Sequence, residues 1–164
     1  MRKYLVIPFI LFASCGGDDT KHFREDGSLE SEGQLVDGKK NGEWKFYDVA
    51  GQLEEVSSWK ADAVDGLSTT YYPNGKKKSE AMWKEGILEG LQSIWDEEGN
   101  LMQEVNWKDD KREGAFVSYY PDGTKAAEGE FQNGMENGVF LVYYESGIKS
   151  EESVWLNGVK HGTA

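Results

Sequence analysis

Apolar residues along this chain come in short, strand-length runs, each closed by a turn. In Phe116-Val117-Ser118-Tyr119-Tyr120 the aromatic and β-branched residues suit a pleated surface, and Pro121-Asp122-Gly123 then ends the run. Tyr71-Tyr72 followed by Pro73-Asn74-Gly75 repeats the pattern. Proline presets φ for the start of a type I turn, and the glycine accepts the left-handed conformation of a three-residue hairpin loop. The chain returns from Lys125 to Gln132 as a second strand, and Asn133-Gly134 and Asn157-Gly158 mark the next reversals. No stretch beyond Cys15 sustains a helical period.

These hairpins recur in fixed step. Glycines at 42, 66, 90, 114, 138 and 162 are spaced by 24 residues, and a second series (Gly27, Gly51, Gly75, Gly99, Gly123, Gly147) keeps the same interval. A period of this length is the signature of stacked supersecondary units. With the leading glycine as unit position 1, position 6 is always aromatic: Phe23, Tyr47, Tyr71, Trp95, Tyr119, Tyr143. Position 15 is Glu32, Glu80, Glu104, Glu128 and Glu152, with Val56 as the exception. Position 18 is Leu35, Trp59, Trp83, Trp107, Phe131 and Trp155. Position 21 is glycine except at Asp62 and Asp110, which leaves the local turn geometry open there. The fold class is all-β: an elongated single-layer antiparallel meander of tandem 24-residue hairpins, with about eleven or twelve strands. Stacked rings replace a conventional core, and each unit depends on its neighbours.

Register follows from the loop. If positions 7 and 11 flank it, position 6 pairs with position 12, so Tyr47 meets Leu53 and Trp95 meets Leu101. Alternation then puts positions 6, 12, 16 and 18 on one face and the position-15 glutamates on the other. A bulge would exchange these faces. At the chain ends, Asp19-Thr20-Lys21-His22 carries no apolar pattern, and residues 152–157 read as a last strand with an exposed edge. The edge is met by a local twist, by another part of the array or by a partner strand.

The first residues are of a different kind. Arg2 and Lys3, the apolar run Tyr4 to Phe12 and then Ala13-Ser14-Cys15 form an export signal over 1–14. The apolar run is far shorter than the ~20 residues a membrane-spanning helix needs. Phe12-Ala13-Ser14-Cys15 resembles a bacterial lipobox, which implies lipidation of Cys15, the single cysteine of the chain. Several acyl chains on one residue give stable anchoring. Residues 15–22 then read as a polar tether and 23–164 as the repeat array, with units starting near 23, 42, 66, 90, 114 and 138. Gly16-Gly17-Asp18-Asp19 lacks an aspartate directly after the cysteine and resembles the export tags of surface lipoproteins. The expected address is the outer membrane, with a surface-facing position open.

Charge narrows the partners. Without residues 1–14 the chain loses Arg2 and Lys3, leaving 16 basic residues against 30 acidic and a net charge of −14. Such a surface repels nucleic acid and anionic headgroups, so the membrane is expected to be met only through the N-terminal lipid. Lys76-Lys77-Lys78, the one basic triple, lies just past a hairpin loop and reads as a solvated turn. With two histidines, His22 and His161, and no metal-ligand spacing, no catalytic residue, metal or cofactor is expected.

The series Tyr119-Tyr120-Pro121-Asp122-Gly123, Glu128, Phe131, Asn133-Gly134 and Gly138 resembles the bacterial variant of the MORN repeat, and Tyr71 to Gly90 repeats it. The resemblance covers 23–164 and implies repeated β-hairpins and an interaction module; many bacterial members are described as antitoxin or immunity components. Two functions follow. One is a lipid-anchored scaffold for a basic protein partner, with toxin neutralisation as a special case. The other is glycan or cell-wall binding, because Gly42-Glu43-Trp44-Lys45-Phe46-Tyr47 resembles the aromatic-glycine repeats of cell-wall modules and rings stack on sugars or enclose cations.

Overall fold

The computed structural model describes residues 18–163; the expected export signal over 1–14 and Cys15 lie outside them. The described chain is β-strand joined by turns, without a helix. In chain order the strands are β1 (Asp18–Phe23), β2 (Leu29–Val36), β3 (Lys39–Tyr47), β4 (Leu53–Lys60), β5 (Ala63–Tyr71), β6 (Lys77–Lys84) and β7 (Ile87–Trp95). They continue as β8 (Leu101–Lys108), β9 (Lys111–Tyr119), β10 (Lys125–Gln132), β11 (Met135–Glu136), β12 (Gly138–Tyr143), β13 (Lys149–Leu156) and β14 (Val159–Thr163). All belong to one open antiparallel sheet in which sequence neighbours are spatial neighbours, with the short β11 pairing with β10 beside β12.

Two kinds of turn alternate, and each follows from its residues. The loops after β3, β5, β7, β9 and β12 close as sequence reading expects: Asp48 N–H donates to Gln52 O at 2.8 Å and Gly51 N–H to Asp48 O at 3.0 Å. Gly51 sits at φ 79°, where a side chain is disfavoured. Asp48 Oδ1 caps its own loop by accepting from Ala50 N and Gln52 N at 2.9 and 2.8 Å. The opposite turns have two central residues, both at positive φ, which is the type I′ hairpin turn. Asp62 and Asp110 adopt this conformation as their glycine equivalents do, at φ 71° and 59°. Their carboxylates add a bond that glycine cannot make: Asp62 Oδ1 accepts from Lys40 N at 2.8 Å, and Asp110 Oδ1 from Leu88 N at 2.9 Å. Ala61, at φ 51°, is a left-handed residue whose methyl side chain can make no such bond. Ala61→Asn should raise the melting temperature by relieving about 1 kcal/mol of backbone strain, and differential scanning calorimetry checks it.

Three expectations need correction. Residues 18–22, read as part of a polar tether, belong to β1, and with the short β11 and the C-terminal β14 the strand total among the described residues is fourteen rather than eleven or twelve. Backbone pairing with β2 holds this strand without an apolar pattern, helped by Lys21–Glu32 at 3.0 Å and by His22 stacking on Trp44 at 5.7 Å. Residues 152–157 are not the last strand: β14 follows and pairs with β13, so the edge is met by another part of the array, one of the three ways given above. The third correction concerns the faces. Tyr47 does pair with Leu53 and Trp95 with Leu101, but Phe46 then pairs with Glu55, so Glu54 is an extra residue on β4. The same bulge recurs at Lys78, Met102, Ala126 and Ser150. One extra residue reverses the alternation. The position-6 rings therefore leave positions 16 and 18 and join the position-15 glutamates.

Candidate interaction surfaces

The bulges sort each unit's side chains into two chemically different faces. The first is lined with rings. Trp44 and Phe46 on β3 share it with Trp59 on β4, and Trp83, Trp107, Phe131 and Trp155 continue it along the sheet. Trp44, Val105 and Phe131 are buried in it, whereas Trp59, Trp83, Trp107 and Trp155 stay half-buried. Indole N–H groups are tied down locally: Trp59 Nε1 donates to Ser57 Oγ at 2.8 Å, and Trp155 Nε1 to Ser153 Oγ at 2.9 Å. Position 16 faces position 3 of the following unit, and where position 16 is glycine the residue opposite is a ring. Gly33 meets Trp44, Ser57 meets Ser68, Ala81 meets Gln92 and Val105 meets Phe116. A Cβ added at Gly33 would lie 2.5 Å from the Trp44 ring, and one at Gly129 would lie 2.5 Å from Phe140.

The second face carries a ladder of carboxylates and phenols. Tyr47 Oη donates to Glu32 at 2.6 Å, Tyr119 Oη to Glu104 at 2.9 Å and Tyr143 Oη to Glu128 at 2.5 Å. Each bond links one unit to the next. Lys77, Lys125 and Lys149 pair with Glu80, Glu128 and Glu152 from three residues before them. Two units lack a partner for the ladder: Val56 stands where Tyr71 would find its acceptor, and Trp95 brings no hydroxyl to Glu80, which accepts from Thr69 Oγ1 at 3.3 Å instead. Sequence reading found these tyrosines and glutamates but placed them on opposite faces. The recurrence of a Lys three residues before the Glu was the available signal.

The ladder shifts its own titrations. Accepting the Tyr47 proton, and then the Lys21 ammonium, holds Glu32 below the ordinary glutamate value. The Glu32 carboxylate, followed by burial, pushes Tyr47 up to about 12 from its ordinary 10. The Tyr47 bond therefore stabilises the fold below pH 10 and is lost as pH rises through about 12. The Glu32 contribution is present above its ordinary 4.5 and is lost as pH falls through the lowered value. In an absorbance titration Tyr47 should ionise near pH 12, and Glu32→Gln should move it back towards 10, with Tyr47→Phe identifying the signal.

The loop rim adds further links between units. Tyr72 and Tyr120 Oη donate to the Trp95 and Tyr143 carbonyls, each at 2.8 Å. Arg24 reaches the Tyr47 and Asp48 carbonyls. The lysine triple is engaged as well: Lys76 Nζ donates to Glu98 O at 2.6 Å, Lys77 pairs with Glu80, and Lys78 lies 5.8 Å over the Tyr72 ring.

A one-layer sheet of equivalent hairpins with a ring face and a carboxylate face defines a tandem-repeat protein, each unit resting on its neighbours. The family model described as MORN repeat variant matches residues 40–61, 64–85, 88–109 and 112–133, four windows that coincide with β3–β4, β5–β6, β7–β8 and β9–β10. These windows cover more than half of the chain, and the chain belongs to the MORN repeat variant family. A comparison with curated proteins finds no match.

Proposed function

We propose that this protein is a lipid-anchored, extracytoplasmic scaffold that binds a basic protein partner along its ring-lined face, toxin neutralisation of the immunity type being a special case. The observation that carries the reading is that unit after unit sends its position-18 ring to the same face, with Trp59, Trp83, Trp107 and Trp155 half-buried there. Half-buried indoles are the side chains that protein interfaces use as anchors. The net charge of −14 beyond residue 14 favours encounter with a cationic partner. The export signal and Cys15 support attachment at the outer membrane. Glycan binding has less support, because Trp44, the indole of the aromatic-glycine motif, is fully buried with Lys40 lying over it and offers no open platform to a sugar ring.

Pull-down from detergent-solubilised envelope tests the proposal. A partner recovered at moderate salt, and lost when Trp83 and Trp107 are both replaced by Ala, is the expected result. Recovery of nothing, or recovery indifferent to the two indoles, overturns it.

A further inference from the structure

One unit on the ring-lined face, the β3–β4 hairpin near the N-terminal end of the sheet, differs from the rest. Lys40, Gly42, Trp44 and Phe46 alternate along β3 and project to the same side, and Gly42 pairs with Trp59 on β4. Gly42 has no side chain, and a Cβ there would meet nothing within 4 Å. No side chain at Gly42 comes between them, and the Lys40 ammonium lies over three rings at once. Lys40 Nζ lies 4.9 Å from the Trp44 ring centroid, 4.7 Å from Phe46 and 4.4 Å from Trp59. The equivalent places in later units hold at most two rings: Ser68, Thr70 and Trp83, then Gln92, Ile94 and Trp107, then Phe116, Ser118 and Phe131.

The box is held in place before anything binds. Trp44 Nε1 donates to the Gln34 carbonyl at 3.0 Å, and Trp59 Nε1 to Ser57 Oγ at 2.8 Å, so two of the three rings cannot turn freely. Among the described residues no carboxylate pairs with Lys40. A cavity of about 310 Å³, lined by His22, Glu30, Ser31, Lys40 and Phe46, lies against this cluster.

We propose that Trp44, Phe46 and Trp59 form a binding site for a small quaternary ammonium group, with Lys40 as its resident plug. A primary ammonium is compact and strongly hydrated and sits on a flexible stem, so Lys40 recovers solvation when it swings out. Methylated ammonium groups are recognised by aromatic cages of this kind through the negative faces of the rings. Glu30 in the adjoining cavity and the acidic surface favour a cation over a neutral guest. The site lies on the same ring-lined face as the proposed partner surface and shares Trp59 with it, whereas Trp83 and Trp107, on which the partner test turns, are no part of it.

Tryptophan fluorescence titration with tetramethylammonium chloride, against sodium chloride at equal ionic strength, tests the site. The full chain should give a saturable response, and Lys40→Ala should bind about ten-fold more tightly because the competing plug is gone. Phe46→Leu in the Lys40→Ala background should lose the response. Lys40→Gln, which keeps the length of the side chain and removes its charge, serves if Lys40→Ala fails to fold. Repeating the titration with choline and with phosphatidylcholine vesicles distinguishes a free solute from a lipid headgroup. A folded Lys40→Ala or Lys40→Gln protein with no saturable response at about 100 mM tetramethylammonium overturns the proposal.

Discussion

A single methyl group at Gly33 should unseat the most deeply buried ring of the protein. Gly33 has ordinary φ, so the backbone itself admits alanine. The obstacle is Trp44, paired directly opposite, fully buried and pinned by its N–H to Gln34 O. A Cβ 2.5 Å from the indole carbons forces the ring out of its slot, and overpacking of this kind costs about 1–3 kcal/mol. Loss of the His22 and Phe46 ring contacts and of the Lys40 box should follow. The neighbouring unit shows the remedy, because Ser57 faces Ser68 at the same place. Gly33→Ser combined with Trp44→Ser should therefore be less unstable than the sum of its two single changes, a coupling that a double-mutant cycle in denaturant measures. Additive effects would mean that the two side chains do not share one space.

The second large effect is Phe131→Ala. Phe131 is 7% exposed, takes the edges of Phe116 and Phe140 at 5.7 and 5.6 Å, and lies under the Arg112 guanidinium at 5.1 Å. Truncating a buried phenylalanine costs about 3–5 kcal/mol. In a stacked array that loss belongs to the unit and its neighbours, not to the whole chain. Amide exchange should rise across residues 111–143 and stay unchanged across residues 29–60. A uniform rise would describe a single globular core instead.

Much of this fold was legible because the backbone imposes it. A left-handed residue is needed at the same place in every loop and every two-residue turn, and glycine, asparagine and aspartate mark those places at a fixed interval. Loop closure then set the Tyr47–Leu53 and Trp95–Leu101 pairs. What did not show was the bulge at Glu54 and its equivalents. The positions it occupies hold Glu, Lys, Met, Ala and Ser, because the extra residue is recognised by backbone geometry and not by its side chain. Missing it exchanged the faces of Tyr47, Tyr119 and Tyr143 and concealed their bonds to glutamate. β1 escaped notice for a related reason: Thr20, Lys21 and His22 are held by ladder bonds and by ring and ion-pair contacts with β2 and β3, which no apolar alternation announces. The three-ring box depends on Lys40 reaching back across Gly42 to rings on two strands, a relation visible only once the faces are correct.

Equivalence of the units can be put to a direct test by excising one of them. Deleting residues 66–89 joins Asp65 to Gly90 in phase and removes one 24-residue hairpin with both of its turns. The shortened protein should keep its β-sheet circular dichroism and unfold cooperatively at a moderately lower temperature, whereas deleting residues 66–77 alone, which reverses strand direction, should unfold it. Loss of folding on removing 66–89, to the same extent as on removing 66–77, would contradict a sheet built from interchangeable hairpins.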